Sequence, residues 1–231
     1  MDEPTNRDVG QIAADLSSSD TGERRTAANQ LRETGFARRV SLEKRGTLGV
    51  PAETALEQHE LDALHEAASD DDREVKLKAI EALGDFGDQT SVPLLLSLFE
   101  DDGQELEVRL AAIDSAGDIG GSEALLALAR TAGDAGKSEE LRLAALTELE
   151  ELAAKRITSG PDRHFDPPQG SPPAPDDDAA TLPEDTDPAE ARRAKQELHR
   201  ICTSIMEEDG ALGLLRLKAG DIRAYLDSGV T

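Results

Sequence analysis

Apolar residues recur in the middle of the chain in three segments that align without gaps. The segments begin at Val75, Val108 and Leu141, so the spacing is 33 residues both times. Within each segment the apolar positions are i, i+4, i+5 and i+8, which form the stripe of an amphipathic helix that packs one face on its neighbours. The pattern therefore predicts three equivalent helices.

Local signals predict where these helices begin and end. Asp20 and Asp72 stand at N-cap positions, and we expect Gly84 with Gly87, and Gly117 with Gly120, to stop the helices. A second helix is predicted after each turn, over residues 55–68, 91–101 and 122–132. A helix-turn-helix unit of this size cannot bury its apolar face alone. The copies should therefore stack into a solenoid.

A weaker fourth copy precedes these three and begins at Glu23, 52 residues before Val75. That distance is one repeat plus 19 residues, which indicates an insertion. Residues 36–54 contain Gly46 and Pro51 and fit an insertion of this length. We interpret them as a locally basic loop between two helices.

The order of residues within the copies carries a family resemblance. Asp, then Val-Arg, then Ala, then Leu-Gly resembles the short HEAT-like repeats of phycobilin-lyase-related proteins, over residues 20–156. Ankyrin and tetratricopeptide repeats have other patterns, which this chain lacks. The resemblance implies an all-α fold, a short α-solenoid of HEAT-like helix-turn-helix repeats. Because that family performs many functions, it implies little about activity.

The pattern changes after the solenoid, which we place at residues 1–157. Residues 158–188 are rich in proline and aspartate and are predicted to form a disordered acidic linker. An apolar stripe resumes beyond it, so residues 189–231 are predicted to contain C-terminal amphipathic helices. These helices could fold back on the solenoid or be presented to a partner, and the sequence leaves both open.

The charge of the chain changes the biological setting that we infer. Its 49 acidic residues against 25 basic ones give a formal charge of -24, and the acids are spread over the helical parts. Lysine is scarcer than arginine. A surface of this kind is typical of adaptation to concentrated salt, where the Debye length is roughly 3 Å. We therefore predict a halophilic, archaeal source.

Other sequence features predict a cytoplasmic protein. Cys202 is the only cysteine, the amino terminus lacks the pattern of a signal peptide, and no apolar run is long enough to span a membrane.

Candidate catalytic groups are few. His59-Glu60 and His65-Glu66 invite comparison with deoxyhypusine hydroxylase, a HEAT-repeat enzyme class that binds two iron ions through His-Glu pairs. The corresponding positions here, such as Leu77-Lys78, cannot bind iron. Phosphate-binding, dinucleotide and nucleophile motifs are absent, so we expect no enzyme and no cofactor or metal. The acidic charge and the scarcity of aromatic residues disfavour nucleic acid as a partner.

The favoured function is that of a protein-binding adaptor. The predicted partner-binding residues are the cations of the insertion and two leucines of the apolar helix that follows Ser91: Arg38, Arg39, Lys44, Arg45, Leu94 and Leu98. The leucines could instead be buried in the stack. Two alternatives stay open, an adaptor between taxis signalling and the archaeal motility motor, and, through the resemblance, a lyase-like protein that acts on a bilin chromophore.

Overall fold

The computed structural model describes residues 8–45, 56–158, 188–208 and 213–227, and all of its regular structure there is helical. The helices are α1 Val9–Asp15, α2 Thr21–Arg45, α3 Gln58–Ala67, α4 Arg73–Phe86, α5 Val92–Glu100, α6 Leu106–Ile119, α7 Gly121–Gly133, α8 Glu139–Thr158, α9 Pro188–Glu207 and α10 Gly213–Asp227. The predicted all-α fold and the predicted second helices, α3, α5 and α7, are confirmed. None of the described helices is long and apolar enough to cross a membrane.

The chain forms two compact units, residues 1–128 and 129–231, and the boundary lies within α7. In the first unit α2, α4 and α6 lie side by side, α3 packs on α4, and α5 packs on α6. Each short helix therefore pairs with the longer helix that follows it in the chain. The apolar stripe of the longer helices is buried, as the repeat predicts, at Val75, Ala79, Ile80, Val108, Ala112 and Ile113.

The ends of the helices follow the predicted signals only in part. The Asp72 carboxylate accepts a hydrogen bond from the Val75 amide, as an N-cap does. Gly87 and Gly120 end α4 and α6 with φ of 75° and 74°, in the region that favours glycine. Gly84 and Gly117, which we expected to help stop α4 and α6, lie inside these helices instead. A Cβ at Gly84 would stand 2.8 Å from Cα of Ser115, so this glycine lets α4 and α6 approach closely.

The predicted loop at the start of the insertion is wrong. Helix α2 runs without interruption to Arg45, so residues 36–45 extend it by more than two turns. No glycine or proline occurs between Phe36 and Gly46, and the residues there have ordinary helix propensity. The rest of the insertion lies outside the described residues, as do residues 159–187 of the predicted linker.

In the second unit α10 packs on both α8 and α9. The α10 sequence Leu215-Arg216-Leu217-Lys218-Ala219 matches Val75-Lys76-Leu77-Lys78-Ala79 of α4 in residue type, position by position. Burial matches too, because Leu215, Ala219 and Ile222 are buried like Val75, Ala79 and Ala82. Helices α9 and α10 therefore form another helix pair of the same design.

Candidate protein-binding surface

Each repeat helix except α4 carries an arginine directly after its first apolar repeat position, or, in α2, at the equivalent Arg24. We call these the repeat arginines. Nε of Arg109 donates to the Phe99 carbonyl, and Nε of Arg142 donates to the Ala132 carbonyl, both at 2.9 Å. Nη1 of Arg24 donates to the Ser18 carbonyl at 3.0 Å. These carbonyls lie at or just beyond the end of the preceding helix, where intrahelical donors are lacking.

Two repeat arginines also bind a carboxylate that follows the next helix of the same unit, α3 for Arg24 and α9 for Arg142. Arg24 forms two hydrogen bonds with Asp70, at 2.7 and 3.2 Å, directly after α3 and its terminal turn. Arg142 forms two with Glu208, which follows α9 and has its pKa lowered by this contact. In α10, Arg216 donates to the Glu208 carbonyl. Arg24 and Arg142 thus join successive helix pairs, whereas Arg109 and Arg216 bind a carbonyl within their own pair, and the roles of all four are structural.

The basic residues at the start of α2 are also used inside the first unit. Arg25 pairs with Asp72 at 2.7 Å, and its hydrogen bond lowers the pKa of Asp72 to about 2. Arg73 of α4 pairs in the same way with Glu105, before α6, at 2.7 Å. Exposed pairs of this kind contribute at most about 1 kcal/mol each.

Arg39 lies between two carboxylates of different helices. Its Nε is 3.1 Å from Asp85 of α4, and its Nη1 contacts Asp118 of α6. The Asp85 side chain is only 7% exposed. Its burial raises the pKa of Asp85 to about 6, and Asp118 adds to the rise while Arg39 opposes it. Arg39 therefore holds residues 36–45 of α2 against α4 and α6.

Phe36 stands out on the same extension because it is 46% exposed. The guanidinium carbons of Arg32 and Arg39 lie 5.9 and 5.7 Å from the centre of its ring, within cation–π range. Arg32 also pairs with Glu81 of α4 at 3.1 Å. We call Phe36, Arg32 and Arg39 the Phe36 surface. Phe36 was not among the predicted partner-binding residues. An aromatic residue between arginines, in a chain with four Phe, nevertheless indicates a candidate binding residue.

The residues that the sequence predicted as one partner surface lie on two helices, α2 and α5. Arg38 lies over the Phe86 ring at 5.4 Å, and Arg39 makes the contacts described above. Lys44 and Arg45 occupy the last turn of α2, and their side chains are outside the described part. On α5 Leu98 is buried and Leu94 is half-buried. A partner role for these residues stays a prediction.

Candidate catalytic chemistry is sparse in the described residues. No group of three or more His, Cys, Asp or Glu side chains there could hold a metal ion. Nε2 of His65 lies 2.9 Å from the Ser91 hydroxyl, which is fully buried and so closed to a substrate. Cys202 is buried as well, and desolvation raises its pKa to about 11, far from the range of a reactive thiol.

Comparison with known proteins agrees with the repeat architecture. Computationally designed armadillo repeat proteins for modular peptide recognition match 94% of this chain and 82% of their own at 16% identity, with a TM-score of 0.51. The complex of CpcE and CpcF of phycocyanin lyase from Nostoc sp. PCC7120 matches 95% of this chain and 77% of its own at 20% identity, with a TM-score of 0.47. No curated protein matches the sequence significantly. Residues 61–150 match HEAT repeats, and the fold is an α-solenoid of HEAT-like helical repeats.

Proposed function

We propose that the chain is a non-catalytic scaffold that binds another protein through the Phe36 surface. The observation that carries this proposal is a large aromatic side chain, 46% exposed, held between two arginines on a helix that is fastened to its neighbours. Aromatic residues and arginine are enriched at the centres of protein interfaces, where they supply most of the binding energy. The HEAT-repeat match adds support, because such repeats stack into extended surfaces suited to protein partners.

The surroundings of Phe36 suit it for binding without rearrangement. Arg39 is held by Asp85 and Asp118, and Arg32 is held by Glu81, so neither arginine has to be ordered when a partner arrives. Side chains that are already immobilised lose less conformational entropy on binding. We infer a partner that covers the exposed part of the Phe36 ring.

The setting that we propose is the salt-rich cytoplasm of a halophilic archaeon. The formal charge of -24 supports it, because such a charge is compatible with a compact fold mainly where salt screens the repulsion.

The test replaces Phe36 with alanine and uses the tagged full-length chain to capture partners in about 2 M KCl, a salt level at which the Debye length is below about 3 Å. We expect the main partner, identified by mass spectrometry, to bind roughly 30-fold more weakly, as at an aromatic hot spot. Leu106→Ala is the matched control, because Leu106 is 44% exposed but lies at the start of α6. Equal capture by wild type and Phe36→Ala, with helical circular dichroism unchanged, would overturn the proposal.

A further inference from the structure

In both units one side of a repeat helix packs against the next repeat helix, α4 against α6 and α8 against α10. On α4 this side contains Leu77, Ile80 and Gly84, and Gly84 meets Ser115 of α6. On α8 the equivalent residues are Leu143, Leu146 and Glu150, and Glu150 pairs with Lys218 of α10. The isoleucine or leucine in the middle is fully buried in both helices, which shows that the side is covered.

The equivalent side of α10 is more exposed than that of α4 or α8. Its residues are Leu217, Gly220 and Ala224, and they stand at the positions of Leu77, Ile80 and Gly84. Leu217 is 60% exposed and Ala224 is exposed, whereas Leu77 and Leu143 are half-buried and Gly84 is buried. Leu214, one turn before Leu217, is 47% exposed. We call Leu214, Leu217, Gly220 and Ala224 the α10 edge. Gly220 is half-buried, and a Cβ there would stand 3.8 Å from the methyl carbon of Met206 in α9, so the exposed part of the edge is Leu214, Leu217 and Ala224.

The outer face of α2, in the first unit, has a different character. On α2 the side chains of Arg25, Arg32 and Arg39 point to α4 and α6. The next residues after Arg25 and Arg32 in the sequence, Thr26 and Glu33, are exposed. A polar outer face of this kind is the usual cap of a repeat protein. Such a face is a poor match for exposed leucines, so head-to-tail stacking of copies is disfavoured.

We propose that the α10 edge pairs with the α10 edge of a second copy of this chain. The edge is self-complementary, because two leucines protrude beside two small residues, Gly220 and Ala224, of which Ala224 is exposed. In an antiparallel pair the leucines of one copy can therefore lie against the small residues of the other. This interface goes beyond the proposed function and involves none of the residues of the Phe36 surface.

Charge also favours this edge as the meeting point of two acidic chains. Helices α9 and α10 contain seven basic and five acidic residues, a difference of +2 in a chain whose total is -24. Two copies of the acidic chain repel each other least when the α9 and α10 surface of one copy faces the same surface of the other. On α10 Arg216 and Asp221 are both exposed, so an antiparallel copy offers opposite charges as well.

The pairing should be weak and should depend on salt. A single helix face buries less than the roughly 1,200 Å² of a standard stable interface, so we expect dissociation constants of about 10 to 500 µM. Concentrated KCl screens the repulsion between the remaining acidic surfaces. The dimer should therefore form more readily in molar KCl than in dilute buffer.

Sedimentation velocity of the full chain in about 2 M KCl, from about 10 µM to about 1 mM, tests the proposal over the concentration range expected for an interface of this size. We expect a monomer–dimer equilibrium for the wild type. For Leu217→Asp we expect a dissociation constant at least tenfold higher. Ala224→Asp, on the same edge, should have the same effect. Leu106→Asp is the matched control, because Leu106 is an exposed leucine on α6.

Two results would overturn the proposal. One is a wild-type chain that stays monomeric up to about 1 mM, about twice the upper end of the expected range of dissociation constants. The other is a dimer that Leu217→Asp and Ala224→Asp leave unchanged while circular dichroism shows them folded. Phe36→Ala should not alter the dimer, so the failure of this proposal is distinguishable from failure of the protein-binding function.

Discussion

Replacing Arg39 with methionine removes the guanidinium that lies between Asp85 of α4 and Asp118 of α6. Methionine keeps most of the apolar stem, so the change isolates the loss of charge and hydrogen bonds. Burial already raises the pKa of Asp85 from 3.8 to about 6 with Arg39 in place. A rise of that size corresponds to roughly 3 kcal/mol of unfavourable free energy for the charged carboxylate in the folded state.

The sign of the pH dependence follows from the raised pKa. Between pH 4 and about 6 the folded chain binds a proton at Asp85 that the unfolded chain has released, so this group's contribution to stability falls as pH rises. Without Arg39 the attraction that opposes this rise is lost, and the pKa of Asp85 moves further up. The groups that remain around it are Arg32 of α2, Glu81 of α4 and Asp118 of α6.

We therefore expect Arg39→Met to reduce the free energy of unfolding by about 1 to 3 kcal/mol near pH 7.5. Removing one partner of a fully buried pair costs about 3 to 5 kcal/mol, and the Arg39 side chain is 31% exposed, so the smaller range applies. The loss should shrink as pH falls through 6, because Asp85 becomes neutral in both proteins.

Urea unfolding followed by circular dichroism, at several pH values between about 5 and 8 and in about 2 M KCl, measures this difference. The control is Arg38→Met, which removes a neighbouring cation that lies over Phe86. A destabilisation by Arg39→Met that is the same at every pH would refute the role assigned to Asp85.

Two further predictions concern the second unit and the charge of the whole chain. Arg142→Met should destabilise the second unit by about 2 to 4 kcal/mol, because buried Arg142 binds the Ala132 carbonyl and the Glu208 carboxylate. The control is Arg130→Met, at an exposed site on α7, which should reduce the free energy of unfolding by less than about 0.5 kcal/mol. If urea titrations show the same loss for both variants, the structural role of the repeat arginines is contradicted. The melting temperature of the wild type should rise steeply between dilute buffer and molar KCl as the repulsion among 49 acidic residues is screened. An unchanged melting temperature would argue against salt adaptation.

The sequence predicts those parts of the fold that depend on local pattern. The buried stripe of α4, α6 and α8 recurs every 33 residues because equivalent helices bury equivalent positions. Asp72 and Gly87 act as predicted because capping depends on a few adjacent residues. Gly84 was misassigned, since its role depends on Ser115, a contact that local sequence does not reveal.

The same limit explains the repeat that was missed. Helix α10 follows the α4 pattern closely, but Leu215 lies 74 residues after Leu141, which is not a multiple of the 33-residue period. The extension of α2 was misread because the basic segment was assigned to one loop with Gly46 and Pro51. For the candidate surface, sequence analysis found Arg39 but not its contacts, since Asp118 lies 79 residues further along the chain.

Amide hydrogen exchange of the full chain, free and saturated with the captured partner, tests the proposed binding surface most directly. The Phe36 surface predicts slower exchange in α2 from Arg32 to Val40, in the part of the helix that carries Phe36. It also predicts little change in α5 around Leu98, which is buried with or without a partner. Exchange in α2 that stays the same at saturation, with protection elsewhere, would contradict the account.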